Sequence, residues 1–181
     1  MIARLTILVA LLGSAVLASS PITRAGLRAD DDFHLKVTIV TGEHSRDSNS
    51  TTRTLSVAAN ELLYEESYAG AHSGQRRPIK KRFKLNQQDQ SDLVAILKEK
   101  HLVVTKTISI PPLHIGATRY FELAIVTALQ AQEYTVTIEA SPAAENLKSD
   151  PLYQGSVDLI EQLYKIINRT DKDLTPPRLI D

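Results

Sequence analysis

The stretch DFHLKVTIVTG, residues 32–42, decides the fold class because its apolar side chains recur at every second position. A period of two is typical of a β-strand that buries one face and exposes the other. The apolar positions are Phe33, Leu35, Val37 and Ile39, and the alternate positions are His34, Lys36, Thr38 and Val40. The stretch therefore predicts a strand that lies on a hydrophobic core.

Strand-like patterns continue along the chain and are interrupted by two helical ones. The further strands are predicted at residues 51–57, 61–68, 79–85, 103–110, 118–128 and 133–140, and the helices at 86–102 and 150–169. Strands outnumber helices and do not alternate with them, which is typical of an α+β fold with a mainly antiparallel sheet. We expect about seven strands in the order ββββαβββα, with two amphipathic helices packed on one sheet face.

Helix-start signals support both helices. Asn86 is suited to cap the first helix, with Asp89 at the third helical position reaching back or favouring the helix N-terminus. Asp150 precedes Pro151, and proline is favoured at the first helical position. Gly155 and Ser156 then predict an interruption or a restart of the second helix.

The first residues, MIARLTILVALLGSAVLASS, have the layout of a secretory signal peptide. Arg4 precedes an uncharged run from Leu5 to Ala18, which as a helix would be about 21 Å long and too short for a ~30 Å hydrocarbon core. We expect residues 1–18 to be a signal peptide, with cleavage after Ala18 or as late as Ala25. This expectation places the protein in a periplasm or outside the cell, with no membrane span after signal removal.

The remaining chain predicts one domain and a balanced charge. We expect a flexible leader at 19–32, a single α+β domain at 33–170 and a loose C-terminal tail at 171–181. Loss of residues 1–18 removes one basic residue, Arg4, from 21, and leaves 20 basic against 21 acidic residues. This balance argues against a general nucleic-acid or membrane binder. The chain has no cysteine, which excludes disulfides and thiolate chemistry.

No pattern of catalytic or metal-binding residues emerges from the sequence. The histidines have neither the helical i, i+4 spacing nor the HExxH form of a zinc site; they are His34, His44, His72, His101 and His114. Glu65, Glu66 and Glu139 are predicted at exposed strand positions, and Ser73 beside His72 does not make a catalytic dyad because neighbouring residues of an extended segment point apart. We predict no enzyme, no metal and no cofactor.

The stretch GQRRPIKKRFKL, residues 74–85, concentrates six positive charges between Arg76 and Lys84. Alternation predicts Lys80, Arg82 and Lys84 on a solvent-exposed strand face and Phe83 toward the core. The cations can keep that face solvated, or they can bind an anionic partner. Nucleic acid is disfavoured because no stacking aromatic residue is interleaved with the cations. The candidate binding residues are Tyr68, His72, Arg76, Arg77, Lys80, Arg82 and Lys84.

From Tyr68 to Ile167 the chain resembles, in layout, small secreted or lipoprotein α+β domains, including emfourin, an inhibitor family associated with thermolysin-like proteases. The shared elements are the turn YAG, the helix DLVAIL, the hairpin YFELAIVTALQAQEYTVTIEA and the closing helix DLIEQLYKI. The resemblance implies a non-catalytic protein-binding role. It assigns no inhibitory residue.

These observations lead to one principal hypothesis and two alternatives. The first is a secreted or periplasmic, non-catalytic domain that binds another secreted or envelope protein in an inhibitor-like manner, through the loop and strand at 68–84. The second is a polyanion or cell-envelope binding module that uses the basic strand at 76–84. The third is a small hydrolase whose site assembles from residues distant in the sequence.

Overall fold

The computed structural model describes residues 33–43, 49–70, 73–110, 119–141 and 144–180. Within these ranges the chain forms one seven-stranded sheet and two α-helices, with short 3₁₀ helices at Ser73–Gln75 and Glu145–Ser149. The elements, in chain order, are β1 His34–Glu43, β2 Ser50–Ala58, β3 Glu61–Ala69, β4 Ile79–Lys84, α1 Gln87–Glu99, β5 Lys106–Ile110, β6 Arg119–Leu129, β7 Gln132–Ala140 and α2 Pro151–Ile167.

The sheet has the strand order β4-β3-β2-β1-β6-β7-β5. Every neighbouring pair is antiparallel except β5 and β7, which are parallel. The prediction of a strand-rich α+β fold with a mainly antiparallel sheet is therefore confirmed. The predicted signal peptide and leader lie outside the described residues.

Two tight hairpins set the register of the sheet. β2 and β3 are joined by two residues, Ala59 and Asn60, and β6 and β7 by Gln130 and Ala131. Gln130 and Ala131 have φ angles of 54° and 61°. Positive φ at both central residues is the requirement of the type I′ turn, whose twist matches that of the flanking strands.

The core lies on one face of the sheet, which we call the core face. Val37 is paired with Leu55 of β2 and with Ile125 of β6, and all three side chains are at most 1% exposed. The alternation predicted for residues 33–39 is confirmed, because Phe33, Leu35 and Ile39 are buried as well. The opposite face, which we call the outer face, carries the alternate residues of each strand.

Side chains cap both helices at their first turn. The Asn86 side chain accepts a hydrogen bond from the Asp89 N–H at 2.8 Å, and the Asp89 carboxylate accepts one from the Asn86 N–H at 3.0 Å. This reciprocal pair is a capping box, which satisfies backbone donors that have no partner within the helix. Asp150 accepts hydrogen bonds from the N–H groups of Leu152 and Tyr153, as expected for a helix that starts at Pro151.

Helix α2 contacts the sheet through aromatic residues. The ring centroids of Tyr64 on β3 and Tyr164 on α2 lie 6.2 Å apart in an edge-to-face arrangement. The rings of Phe121 on β6 and Tyr153 on α2 have the same separation. These contacts join α2 to β3 and β6, which are strands from both halves of the chain.

The interruption predicted at Gly155 and Ser156 is wrong, because α2 runs without a break from Pro151 to Ile167. The Ser156 hydroxyl donates a hydrogen bond to the Leu152 carbonyl, which keeps this small polar side chain satisfied within the helix. Gly155 faces the end of α1, where an added Cβ would lie 2.7 Å from the Cβ of Lys100. The glycine therefore permits the close approach of the two helices.

The C-terminal segment returns to the core. Leu174, Leu179 and Ile180 are each at most 8% exposed and belong to the same cluster of buried side chains as the sheet. Burial of three such side chains opposes detachment of the segment, because each exposes apolar surface to water when it leaves. The sequence predicts a loose tail from residue 171, and this boundary stays a prediction.

We expect Gly155→Ala to lower the free energy of unfolding by about 1 kcal/mol. Alanine has the better helix propensity by about 1 kcal/mol, but overpacking against Lys100 costs typically 1–3 kcal/mol. Urea denaturation followed by circular dichroism measures the difference. The matched control is Gly74→Ala, since an added Cβ there meets no atom within 4 Å. A Gly155→Ala variant more stable than wild type would contradict the packing argument.

Candidate functional site

β4 carries the basic stretch at the edge of the sheet, and its residues alternate between the two faces as predicted. Phe83 is 8% exposed and faces the core together with Leu85, which follows the strand. Lys80, Arg82 and Lys84 are exposed and lie on the outer face. The strand therefore separates an apolar side from a row of cations spaced by two residues.

Two of these cations form ion pairs with glutamates of the neighbouring strand. Lys80 lies opposite Glu65 in the register, and its Nζ is 2.7 Å from the Glu65 carboxylate. Arg82 reaches Glu61 at 3.1 Å. Exposed pairs of this kind contribute about 0–1 kcal/mol each, so they position the charged groups more than they stabilise the fold. The outer faces of β3 and β4 thus form an alternating charge ladder.

The paired cations keep much of their surface in water. The side chains of Lys80 and Arg82 are 60% and 65% exposed although each contacts a glutamate. A lysine ammonium has three donors and an arginine guanidinium five, so one carboxylate does not saturate either group. Donors therefore remain for a ligand that approaches this edge.

Lys81 extends from the same strand to the opposite face and binds the C-terminal segment. Its Nζ forms an ion pair with the carboxylate of Asp171. The hydrogen bond from Lys81 lowers the pKa of Asp171 below its ordinary value. This contact links β4 to the segment that follows α2.

Tyr68 and Arg76, two of the residues predicted to bind a partner, are in contact. The Arg76 guanidinium lies 5.3 Å from the centroid of the Tyr68 ring, which is within the range of a cation–π interaction. They line a depression of about 150 Å³ together with Asn49, Thr51 and Ser73. The loop after β3 is therefore attached to the end of that strand by an aromatic contact.

Beneath Tyr68 lies a buried carboxylate, Glu66, which is 8% exposed. It accepts hydrogen bonds from the hydroxyl of Tyr64, from the hydroxyl of Tyr68 at 2.6 Å and from Nε of Arg53 at 3.2 Å. Burial by itself raises the pKa of Glu66, but the two tyrosine hydrogen bonds and Arg53 outweigh burial and lower it. Glu66 is therefore an ionised group that fixes two tyrosines and one arginine.

Glu66 also affects the titration of its tyrosine partners. The pKa of Tyr68 is raised, mainly because its hydroxyl donates to Glu66. Burial, followed by the same carboxylate, raises the pKa of Tyr64. Both phenols thus stay protonated and keep donating to Glu66 at neutral pH.

A second polar network joins the ends of the two helices. Both carboxylate oxygens of Asp89, which is 1% exposed, accept hydrogen bonds from Arg169, at 2.6 and 2.9 Å. Burial acts to raise the pKa of Asp89, but Arg169 and the Asn86 N–H lower it overall. The carboxylate that caps α1 therefore also holds the chain just after α2.

The structure brings only some of the predicted binding residues together. Tyr68 contacts Arg76, and the outer-face cations lie in line along β4, while Arg77 is exposed between these groups. His72 lies outside the described residues. Within the described chain, no helix is both long enough and apolar enough to cross a membrane. The same ranges contain no group of three or more His, Cys, Asp or Glu residues that could hold a metal ion.

Sequence reasoning missed the residues that support this site. The prediction that Glu66 is exposed is wrong, whereas Glu139 is exposed as predicted. The alternation of β3 contains the signal, because Glu66 has the same parity as Leu62 and Tyr64. For Arg53 and Asp171 no local signal exists, since their partners are distant in the sequence.

Comparison with models of known protein families gives no match, and comparison with curated proteins gives no match either.

We expect the free energy of unfolding of Glu66→Gln to depend less on pH in the acidic range than that of wild type. A carboxylate with a depressed pKa stabilises the folded state above its unfolded pKa, near 4.5, and loses this contribution as the pH falls through its folded pKa. The glutamine variant should be less stable than wild type by about 3 kcal/mol at pH 7, because breaking a buried charge network costs of this order. The difference should shrink toward acidic pH.

Urea denaturation measures this effect at several pH values from about 2.5 to 7, a range that includes the titration of carboxyl groups. The control is the neighbouring Glu65→Gln, which removes only an exposed partner of Lys80 and should change stability by less than about 0.5 kcal/mol. A Glu66→Gln profile parallel to that of wild type would contradict the depressed pKa, because it would show that folding does not change the pKa of Glu66.

Proposed function

We propose that this protein is a secreted or periplasmic, non-catalytic domain that binds another secreted or envelope protein. The binding region, which we call the 68–84 surface, comprises Tyr68, Arg76, Arg77, Lys80, Arg82 and Lys84. The observation that carries the proposal is the charge ladder of β3 and β4, in which Lys80 and Arg82 are positioned by Glu65 and Glu61.

The ladder favours a protein partner over a polyanion. A polyanion binder draws its affinity from an excess of positive potential, but here Glu61 and Glu65 offset part of the charge of the strand. Positive and negative groups in a defined pattern instead provide complementarity to a partner with its own pattern, and they give specificity and orientation. The near-neutral net charge of the chain agrees with this distinction.

The base of the surface is preorganised. Glu66 holds Tyr68 from below, and Arg76 lies over the ring of the same tyrosine. Side chains that are already held in place lose less conformational entropy on association than mobile ones, so more of the contact energy is available for affinity. The buried network thus supports recognition without any catalytic role.

The architecture suits a binding surface of this kind. We propose that both helices cover the core face, and that the outer face stays open to solvent. The ring contacts of α2 with Tyr64 and Phe121 support this arrangement for α2. The buried side chains Leu93 and Leu97, together with the Lys100–Asp158 ion pair at 2.6 Å, support it for α1. Inhibition of a protease is the form of protein binding that the resemblance to emfourin suggests.

A polyanion-binding role is the second candidate, and the high exposure of Lys80 and Arg82 favours it. The two functions differ in their response to salt. Binding to a polyanion weakens steeply as the ionic strength rises, whereas a packed protein interface weakens less.

Affinity capture from the organism's envelope and secreted fractions tests the proposal. The wild-type domain is compared at low and high salt with Lys80→Gln/Arg82→Gln/Lys84→Gln, which removes the outer-face cations of β4 without placing acids beside Glu61 and Glu65. We expect a specific protein to be retained by wild type, at both salt concentrations, and to be lost by the triple variant.

The matched control is Lys36→Gln/Lys98→Gln/Lys165→Gln, which removes the same charge from exposed positions elsewhere. Circular dichroism verifies that each variant is folded. Equal retention by wild type and by the β4 triple variant would contradict the 68–84 surface. Capture that disappears at high salt would favour the polyanion-binding role.

A further inference from the structure

The outward edge of β4 receives no strand from the described part of the chain. β4 is the first strand in the sheet order, and β3 is its neighbour on one side. Within the described ranges, no segment other than β3 and its turn to β2 forms a backbone hydrogen bond with residues 79–85. An edge of this kind presents a row of backbone donors and acceptors to which another strand can be added.

The register shows which backbone groups point outward. The Leu85 N–H donates to the Asn60 carbonyl at 2.9 Å, so this pair is of the hydrogen-bonded type. Hydrogen-bonded pairs alternate along an antiparallel ladder, and β4 therefore bonds to β3 through its odd-numbered residues. The N–H and C=O groups of Lys80, Arg82 and Lys84 face the open edge.

The same three residues carry the outer-face cations. A strand added at this edge would place every second side chain beside Lys80, Arg82 or Lys84, at the spacing where opposite charges attract and like charges repel. Its alternate side chains would lie beside Phe83 and the aliphatic part of Lys81 on the core face. Acidic and apolar residues in alternation would thus match both faces of the edge.

The charges also select against a second copy of this chain at the same edge. Antiparallel pairing of two β4 strands would bring cations against cations, which is destabilising. An acidic strand would instead be attracted to the cations of β4, and it would extend the charge ladder that starts at Glu61 and Glu65. The high exposure of Lys80 and Arg82 leaves donors for these additional carboxylates.

We propose that β4 binds an extended acidic segment of a partner protein by strand addition, with carboxylates at alternate positions beside Lys80, Arg82 and Lys84. The inference rests on the proposed protein-binding function and specifies the chemistry of the partner. Backbone hydrogen bonds supply affinity in this mode, and the alternating side chains supply selectivity.

The probe is the fluorescein-labelled peptide Thr-Glu-Val-Glu-Val-Glu-Thr, with saturable binding to the full domain measured by fluorescence anisotropy. We expect it to bind wild type, and the peptide with lysine in place of glutamate to bind at least about tenfold more weakly, because like charges would then be opposed. A peptide of the same composition with its three glutamates in one block should also lose affinity. Absence of saturable binding by the alternating peptide would overturn the proposal.

Two variants separate the backbone contribution from the charge. Arg82→Pro removes an outward-facing N–H without touching the β3–β4 hydrogen bonds, and Arg82→Gln removes the charge but keeps the N–H. We expect Arg82→Pro to weaken peptide binding by about tenfold beyond Arg82→Gln. Equal affinities of the two variants would rule out strand addition.

A second measurement is independent of the stability of the proline variant. Two further forms of the probe are each N-methylated at every second peptide bond. In one form the methyl groups block the N–H donors that would face β4, and in the other they block the donors that would face solvent. Strand addition requires the first form to lose binding to wild type and the second to preserve it. Equal binding by both methylated peptides would overturn the proposal.

The failure of this inference is distinguishable from failure of the proposed function. A captured protein that Arg82→Gln and Arg82→Pro retain equally would show that strand addition is wrong, although protein binding stands. Retention of that protein by Lys80→Gln/Arg82→Gln/Lys84→Gln would contradict the 68–84 surface itself.

Discussion

The pairing of β1 with β6 is the contact on which the rest of the structure depends. It joins two groups of strands that are distant in the sequence, with His34 opposite Ala128 at one end and Glu43 opposite Arg119 at the other. The β1–β4 meander and the strands β5 to β7 are otherwise separate sheets. Their union makes one continuous apolar core face from both groups of strands. Closing the long loop between these strands costs conformational entropy, and burial of side chains on both strands must offset that cost.

Polar contacts at the periphery attach the helices and the C-terminal segment to that sheet. Asp89 binds Arg169 across 80 residues, and Lys81 binds Asp171 across 90. Both of these contacts use residues immediately after α2, so α1 and β4 fix the position of the chain where it leaves this helix. A buried charge without partners is strongly unfavourable. Asp89 and Glu66 remain ionised although they are buried, because each accepts hydrogen bonds from several donors.

In the proposed function, the basic strand combines protection of an edge with recognition. Cations on an exposed edge discourage pairing with other copies of the same strand, and the glutamates of β3 hold those cations in place. The same arrangement is permissive for an acidic strand, because attraction replaces repulsion while the backbone geometry stays the same. Protection of the edge and the proposed selection of a partner thus follow from one charge pattern. The buried Glu66 network contributes by holding the Tyr68 hydroxyl, while Arg76, just before the strand, lies over the Tyr68 ring.

Local patterns in the sequence determined the elements, and long-range energetics determined their assembly. Period-two alternation identified the strands, and Asn86 and Asp150 identified the helix starts, because alternation and capping act between residues that are near in the chain. The position of β6 beside β1, the parallel pairing of β5 with β7 and the continuity of α2 through Gly155 were decided only in three dimensions.

The same division applies to the candidate site. The sequence by itself determined that Lys80, Arg82 and Lys84 share one strand face. Only the tertiary structure decided that Glu61 and Glu65 pair with two of them, that Arg76 contacts Tyr68, and that Glu66 is buried and ionised. The physical reason is that a side chain's charge state and contacts depend on neighbours supplied by other strands, whereas its strand parity depends on the backbone alone.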